Sequence, residues 1–326
     1  MTDPIEEKPV VDIEYERPLP IERQRRGPAD AIRFPGWDTL PEKARPFLSL
    51  SRIDRPVGVW LLALPCWIGL AFARIPDGMQ WVDLWWALLF GIGSIAMRGA
   101  GCTWNDITDK DLDAGVARTA GRPLPSGELS ERQAYAWLVA QLVIGFLVWL
   151  CLPGFAKLVA LAALPLVAAY PYMKRITWWP QAWLGLTFNW GVLVAAATVG
   201  NFGFATLILY ASLALWTIAY DTIYALEDRN DDALIGIRST ARLFGDKSVT
   251  ASFGFHLAAT THLSFATYLI GAGRVGAVTA LIFLAHGVWQ SSRLKASRNT
   301  EAISVFKSNV WAGAIVLSGL LWAALL

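Results

Sequence analysis

Apolar residues run along most of this chain in blocks of about twenty, separated by Gly, Pro and clusters of charge. A helix needs roughly that many apolar residues to cross the hydrocarbon core of a bilayer. Read this way, the pattern predicts nine spans, near 56–75, 81–101, 132–152, 155–173, 179–199, 203–222, 248–271, 274–292 and 307–326. Between Ile176 and Tyr220 there is no Asp, Glu, Lys or Arg at all, room for two spans with a break at Gly200–Gly203, "GNFG". The third block carries its own start signal in "SERQ", where Ser130 can cap the helix and Gln133 can reach back to it. The expected fold is all-α, a polytopic membrane protein.

Composition agrees, with 55% hydrophobic and 17% charged residues and a mean hydropathy of +0.42. A soluble domain is excluded on those grounds, and a net charge of +2 gives no sign of a nucleic-acid partner. The distribution of charge says more. Loops after even-numbered spans hold Lys110, Arg118 and Arg122, then Lys174 and Arg175, then Arg229, Arg238, Arg242 and Lys247, then Arg293, Lys295 and Arg298. Loops after odd-numbered spans show only Arg74 and Arg274, so the positive-inside bias places the N-terminus in the cytoplasm. Residues 1–47 are rich in charge and proline and read as a disordered cytoplasmic tail ahead of a membrane domain over 48–326, with a short interfacial helix near Glu42–Ile53. That tail has no apolar signal region, and it carries seven acids between Asp3 and Glu22, unlike an acid-poor transit peptide; a bacterial plasma membrane is the expected location. Cys66, Cys102 and Cys151 lack metal-ligand spacing and read as packed free thiols.

Two loops on the cytoplasmic face stand apart. The second span runs into "NDITDKDLD", Asn105 to Asp113, and the sixth into "DTIYALEDRNDD", Asp221 to Asp232. If the helix continues past the bilayer edge, Asn105, Asp109 and Asp113 share one face at i, i+4 and i+8; Asp228 and Asp232 repeat the i, i+4 spacing, with Asp221 and Tyr224 on nearly the same face. On the same reading Asp106 and Asp111 point elsewhere and should tolerate substitution best. Like charges at i, i+4 cost a helix roughly 0.2–0.5 kcal/mol per pair, so a cation is expected between them. Hard oxygen donors without His or Cys favour Mg²⁺ or Ca²⁺ over zinc, and Mg²⁺ completes its shell with water and substrate phosphate. Nearby Arg98, Arg118, Arg122, Lys174, Arg175 and Arg238 suit the remaining charge of a metal-bridged diphosphate. The plainer alternative is a solvated charged loop that enforces topology. Two such series, together with the intramembrane Arg98, favour a functional site.

These two signatures, with "RPLPSG" at Arg122–Gly127 and "GIRSTARLFG" at Gly236–Gly245, resemble the UbiA superfamily of intramembrane aromatic prenyltransferases, and within it the branch that acts on 4-hydroxybenzoate. The resemblance runs from about Arg52 to the C-terminus. It implies nine helices around a central cavity, Mg²⁺ as cofactor, and transfer of a polyprenyl group from polyprenyl diphosphate to the carbon of 4-hydroxybenzoate ortho to its hydroxyl. By carry-over, Asn105, Asp109 and Asp113 would bind one Mg²⁺ and Asp228 and Asp232 the other. Arg98, Arg118, Arg122, Lys174 and Arg175 would grip diphosphate, and Arg52 or Arg55 of "SRIDRPVG" would hold the aromatic acid, Arg52 being favoured. Asp221 and Tyr224 are candidates to orient or deprotonate the acceptor, or equally a hydrogen-bonded pair at a helix end. His256, His262 and His286 read as satisfied intramembrane histidines, and Asn189 as an interhelical hydrogen bond rather than cavity wall. Another aromatic acceptor within the superfamily is the nearest alternative. A cation-coupled transporter fits less well, because its ion sites would lie near the midplane on broken helices.

Overall fold

A computed structural model describes residues 36–115, 119–234 and 236–326, leaving aside the side chains of Asn230, Asp231 and Leu234. Among the described residues there is no strand. A 3₁₀ turn, Trp37–Thr39, and α1 (Arg45–Leu50) precede the first long helix, α2 (Val57–Ala73). Then come α3 (Val82–Thr108), α4 (Lys110–Ala114), α5 (Glu131–Cys151), α6 (Gly154–Ala162), α7 (Leu164–Ile176), α8 (Pro180–Phe188), α9 (Trp190–Thr198) and α10 (Phe204–Tyr224). The chain ends with α11 (Arg229–Leu234), α12 (Thr240–Phe244), α13 (Ser248–Leu269), α14 (Gly273–Ser297), α15 (Ala302–Lys307) and α16 (Asn309–Leu325). Six stretches of described helix are long and apolar enough to cross a membrane: 82–108, 131–151, 154–176, 204–224, 273–297 and 302–325. α2 is a shorter apolar helix.

Local chemistry sets these boundaries. Ser130 accepts the Gln133 backbone N–H while Gln133 Oε1 accepts the Ser130 N–H at 2.9 Å, the capping box expected at the start of α5. The rod over 180–198 breaks at Asn189, whose Nδ2 donates to the Gly185 carbonyl at 2.7 Å and to Thr217 Oγ1 on α10 at 2.8 Å. The interhelical role expected of Asn189 is therefore what the fold uses. Each histidine also has a partner: His256 Nε2 lies 2.8 Å from the Phe283 carbonyl, His262 Nδ1 2.9 Å from that of Ala258, and His286 Nε2 3.1 Å from Ser308 Oγ. Cys66 and Cys102 are packed, but Cys151 is exposed on the outside of α5, where an apolar thiol meets lipid as readily as protein.

The main core joins α2, α9, α10, α13, α14 and α16 around Phe72, Leu213, Trp216 and Phe283. Trp216 Nε1 donates to Asn309 Oδ1 at 2.9 Å, so its one polar atom is satisfied. Close helix approach depends on glycine: a Cβ at Gly69 would come within 2.7 Å of the Val192 backbone, and one at Gly185 within 2.7 Å of the Ala214 carbonyl. The outer faces carry exposed Leu84, Leu147, Leu158, Leu281 and Trp311, as a surface solvated by lipid requires. Residues 36–47 belong to the expected tail, yet Trp37 is buried and α1 packs Leu50 against Leu124, Leu129 and Ala134.

Between α2 and α3, Arg74 makes a two-pronged contact with Asp83 Oδ1 at 2.8 and 2.9 Å, and both residues are buried. Breaking a buried pair strands the other charge. Arg74→Ala is expected to lower stability by about 3–5 kcal/mol, read as a depressed midpoint of detergent-induced unfolding.

Candidate active site

The first acidic series is nearly one helix. α3 ends at Thr108 and the backbone at Asp109 departs to φ −101°, ψ 5°, yet the i→i−4 hydrogen bonds continue, Asp109 N to Asn105 O at 2.9 Å and Asp113 N to Asp109 O at 2.8 Å. Asn105, Asp109 and Asp113 therefore stay on one side, as their spacing predicts. The second series turns at the end of α10 and resumes as α11, where Asp232 N bonds Asp228 O at 2.8 Å.

A cavity of about 250 Å³ lies between the two series. Asn105 and Asp113 face it from one side; Asp221, Tyr224, Asp228 and Asp232 face it from the other; Arg122, Lys174 and Arg238 complete the wall. Asp109 is fully buried and ion-paired with Lys174 Nζ and with Arg175 Nη2, the latter at 2.8 Å. Arg122 Nη1 reaches Asp113 Oδ2 at 2.5 Å. Burial pushes the Asp113 carboxyl above its ordinary value, Arg122 opposes that, and Asp106 and Asp109 add to it. Arg238 ties the second loop to the end of α7, its N–H donating to the Lys174 carbonyl at 3.0 Å and its guanidinium to that of Ile176 at 2.6 Å.

Below lies a larger, mostly apolar chamber of about 570 Å³, walled by α3, α5, α6, α7, α8 and α9 through residues such as Phe90, Met97, Trp149 and Phe188. Asn105, Arg122, Tyr170 and Pro171 line both spaces, so the polar cavity and the chamber share a wall. Arg98 lies on the chamber side, its guanidinium 5.3 Å from the Phe188 ring centre and packed against α2 at Gly58. Arg52 also faces the chamber, whereas Arg55 lies 3.8 Å from Asp54. Arg118 falls outside the described residues.

One expectation fails. Asp111 is exposed, but Asp106 is fully buried, with Arg52 Nη2 at 2.6 Å and Arg122 Nη1 at 3.3 Å from its Oδ1. The helical-face argument does not set Asp106 apart, because Asp106 and Asp113, seven residues apart, converge on the same Arg122 nitrogen. The side to which Asp106 turns holds two arginines and no solvent. Sequence reading also missed Tyr170 and Gln181, both on the polar cavity, the latter accepting the Thr240 N–H at 3.0 Å. Tyr170 could have been found from its place four residues before Lys174 on the same helical face.

As donors for a cation, the site supplies hard oxygens from two elements around one cavity, the set that suits Mg²⁺. Among the described residues no three acids, histidines or cysteines are already gathered as ligands. Arg122 and Lys174 lie instead against Asp113 and Asp109, neutralising the charge that a divalent ion would meet. The donor types fit Mg²⁺.

Fold and site together define a helical membrane protein that sets a cavity of opposed acids and bases against an apolar chamber. The chain belongs to the UbiA prenyltransferase family, whose model matches residues 62–318. It is 43% identical over 287 residues to "4-hydroxybenzoate polyprenyltransferase, mitochondrial" of Aedes aegypti, covering 86% of this chain and 64% of that protein, so it spans somewhat less than two thirds of that relative. The protein of the same name in Homo sapiens is 40% identical over 293 residues, covering 87% of this chain and 76% of the human one. Among solved structures, the apo UbiA homolog of Aeropyrum pernix K1 matches with a TM-score of 0.68 at 26% identity, over 81% of this chain and 97% of that one. The Archaeoglobus fulgidus homolog bound to GPP and Mg²⁺ shares the fold, with a TM-score of 0.59 at 16% identity over 84% and 99% of the two chains.

The bacterial plasma membrane expected above is not upheld. The relatives from insects, a plant and mammals are named as mitochondrial proteins, which points to a mitochondrial membrane. The expectation rested on the lack of an apolar signal region and on acidic residues near the N-terminus.

Proposed function

We propose that this protein transfers a polyprenyl group from polyprenyl diphosphate to 4-hydroxybenzoate, at the ring carbon ortho to the hydroxyl, with release of diphosphate, as a step of ubiquinone synthesis. The observation that carries the reading is the shared wall between a polar cavity of about 250 Å³ and an apolar chamber of about 570 Å³. The donor has the same division, a charged diphosphate on a hydrocarbon tail. The names of the relatives support 4-hydroxybenzoate as acceptor. The catalytic domain in this reading is 48–326, crossing the membrane nine times, with the N-terminus on the side of the basic loops.

Each group has a task. Arg122, Lys174, Arg175 and Arg238 receive the negative charge that grows on the departing diphosphate. Asn105, Asp109 and Asp113 on one side and Asp228 and Asp232 on the other would hold Mg²⁺, in keeping with the archaeal homolog bound to GPP and Mg²⁺. Mg²⁺ there would supply Lewis-acid stabilisation of the leaving diphosphate. The chamber keeps water from the allylic centre. Arg52 and Arg98, on its wall, present guanidinium groups suited to the acceptor carboxylate. Asp221 and Tyr224, seven and four residues before Asp228, orient the phenol and take the ring proton.

The test is a proteoliposome assay with 4-hydroxybenzoate, geranyl diphosphate and Mg²⁺, read by mass spectrometry. The expected product is the geranylated acid, falling roughly 100-fold or more in EDTA, as loss of a principal charge stabiliser requires. No adduct with Mg²⁺ present would remove the proposal.

A further inference from the structure

We propose that Asp106 is a positioning residue, fixing Arg52 and Arg122 where the polar cavity meets the chamber and thereby setting how tightly both substrates are held. This rests on the function proposed above. Arg52 and Arg122 come from opposite sides in sequence, one from before α2 and one from beyond α4, and both aim at the same carboxylate oxygen, at 2.6 and 3.3 Å. Asp106 is fully buried, so no solvent shares the work of neutralising it. Two guanidinium groups brought together beside an apolar chamber would repel each other, and one acid between them turns that repulsion into a fixed geometry.

Two further details point to placement rather than to simple charge balance. Arg52 holds a left-handed backbone at φ +58°, a conformation that costs a non-glycine residue roughly 1–3 kcal/mol and persists only where its surroundings dictate it. Its guanidinium is gripped from two sides, by the Ser49 carbonyl at 3.1 Å and by Asp106. Arg122, for its part, uses one nitrogen for both Asp106 and Asp113, while its Nε and Asp106 Oδ2 are buried without a hydrogen-bond partner. Those two unused atoms belong to side chains already in contact. They give Arg122 a second seat on Asp106 when Asp113 is occupied with a ligand, so it can release Asp113 without leaving the junction.

The experiment uses the full chain in proteoliposomes with geranyl diphosphate and 4-hydroxybenzoate. Asp106→Asn keeps the shape of the side chain and removes its charge. KM for both substrates is expected to rise about tenfold or more while kcat stays within about threefold, the split that marks lost binding rather than lost chemistry. Asp106→Glu, which retains the charge, is expected to fall between the two. A second readout needs no turnover: calorimetric affinity for the unreactive geranyl S-thiolodiphosphate with Mg²⁺ should weaken in Asp106→Asn by about the same tenfold factor. If Asp106→Asn binds the analogue within about twofold of the parent chain and keeps both KM values, the proposal is wrong even if the variant melts earlier, because only structural support would then be lost. Should Asp106→Asn not fold, Asp106→Glu carries the test. It keeps the charge and displaces it by one methylene; raised KM values for both substrates support the proposal and unchanged ones overturn it. A parent chain that makes no adduct defeats the proposed function instead, and the analogue affinities then decide the role of Asp106.

Discussion

Asp109→Ala is expected to reduce prenyl transfer to the limit of detection, a loss on the order of 10³-fold, as when a principal electrostatic element of an active site is removed. Asp109 is the point where the first acidic series meets the basic end of α7, paired with both Lys174 and Arg175 and fully buried. Its loss has two effects in the same direction. A hard oxygen donor disappears from the cation set, and Lys174 and Arg175 lose the group that holds them at the cavity. Truncating a buried ion pair also costs about 3–5 kcal/mol in stability, so activity must be compared at equal amounts of folded protein. Asp109→Asn separates the effects: it keeps the shape and an oxygen, and is expected to fold better than the alanine variant with little more activity. Full turnover by either variant in EDTA would contradict the assignment.

Gly101→Phe is expected to discriminate among donors by tail length. Gly101 lines the chamber one helical turn below Asn105, and a Cβ placed there has no atom within 4 Å. A ring at that position enters the space directly beneath the polar cavity without moving the backbone. Transfer from geranyl diphosphate should fall roughly 10–200-fold in kcat/KM, the range for a few misfitting carbon atoms in an apolar pocket. Dimethylallyl diphosphate, with a single isoprene unit, should be much less affected. Equal losses for the two donors would mean that the tail lies elsewhere.

The order of helices could be read closely from hydrophobic blocks, since lipid imposes long apolar runs and glycine, proline and charge end them. The acidic series also lay open, because their i, i+4 spacing survives the irregular backbone at Asp109. Burial at one side of a helix was not legible. Asp106 and Asp111 have the same chemistry, and only the arrival of Arg52 and Arg122 distinguishes the buried acid from the exposed one. Such pairings depend on contacts across 54 and 16 residues of sequence, which no local pattern encodes. Arg98 illustrates the same limit: its depth in the bilayer was plain, but its side of the bundle was settled by packing against Gly58 and Phe188.

α3 has 27 residues and is therefore about 40 Å long, against a hydrocarbon thickness of about 30 Å. Asn105 and Asp106 stand in its last turn, where a surplus of about 10 Å can carry them beyond the hydrocarbon. An amphiphile stored in the leaflet already has its diphosphate at that height and its tail pointing down. Under the proposed function such a donor would approach by lateral diffusion in two dimensions, without bringing its tail through water. The length of one helix thus acts as a ruler that turns a search through volume into a search along a surface.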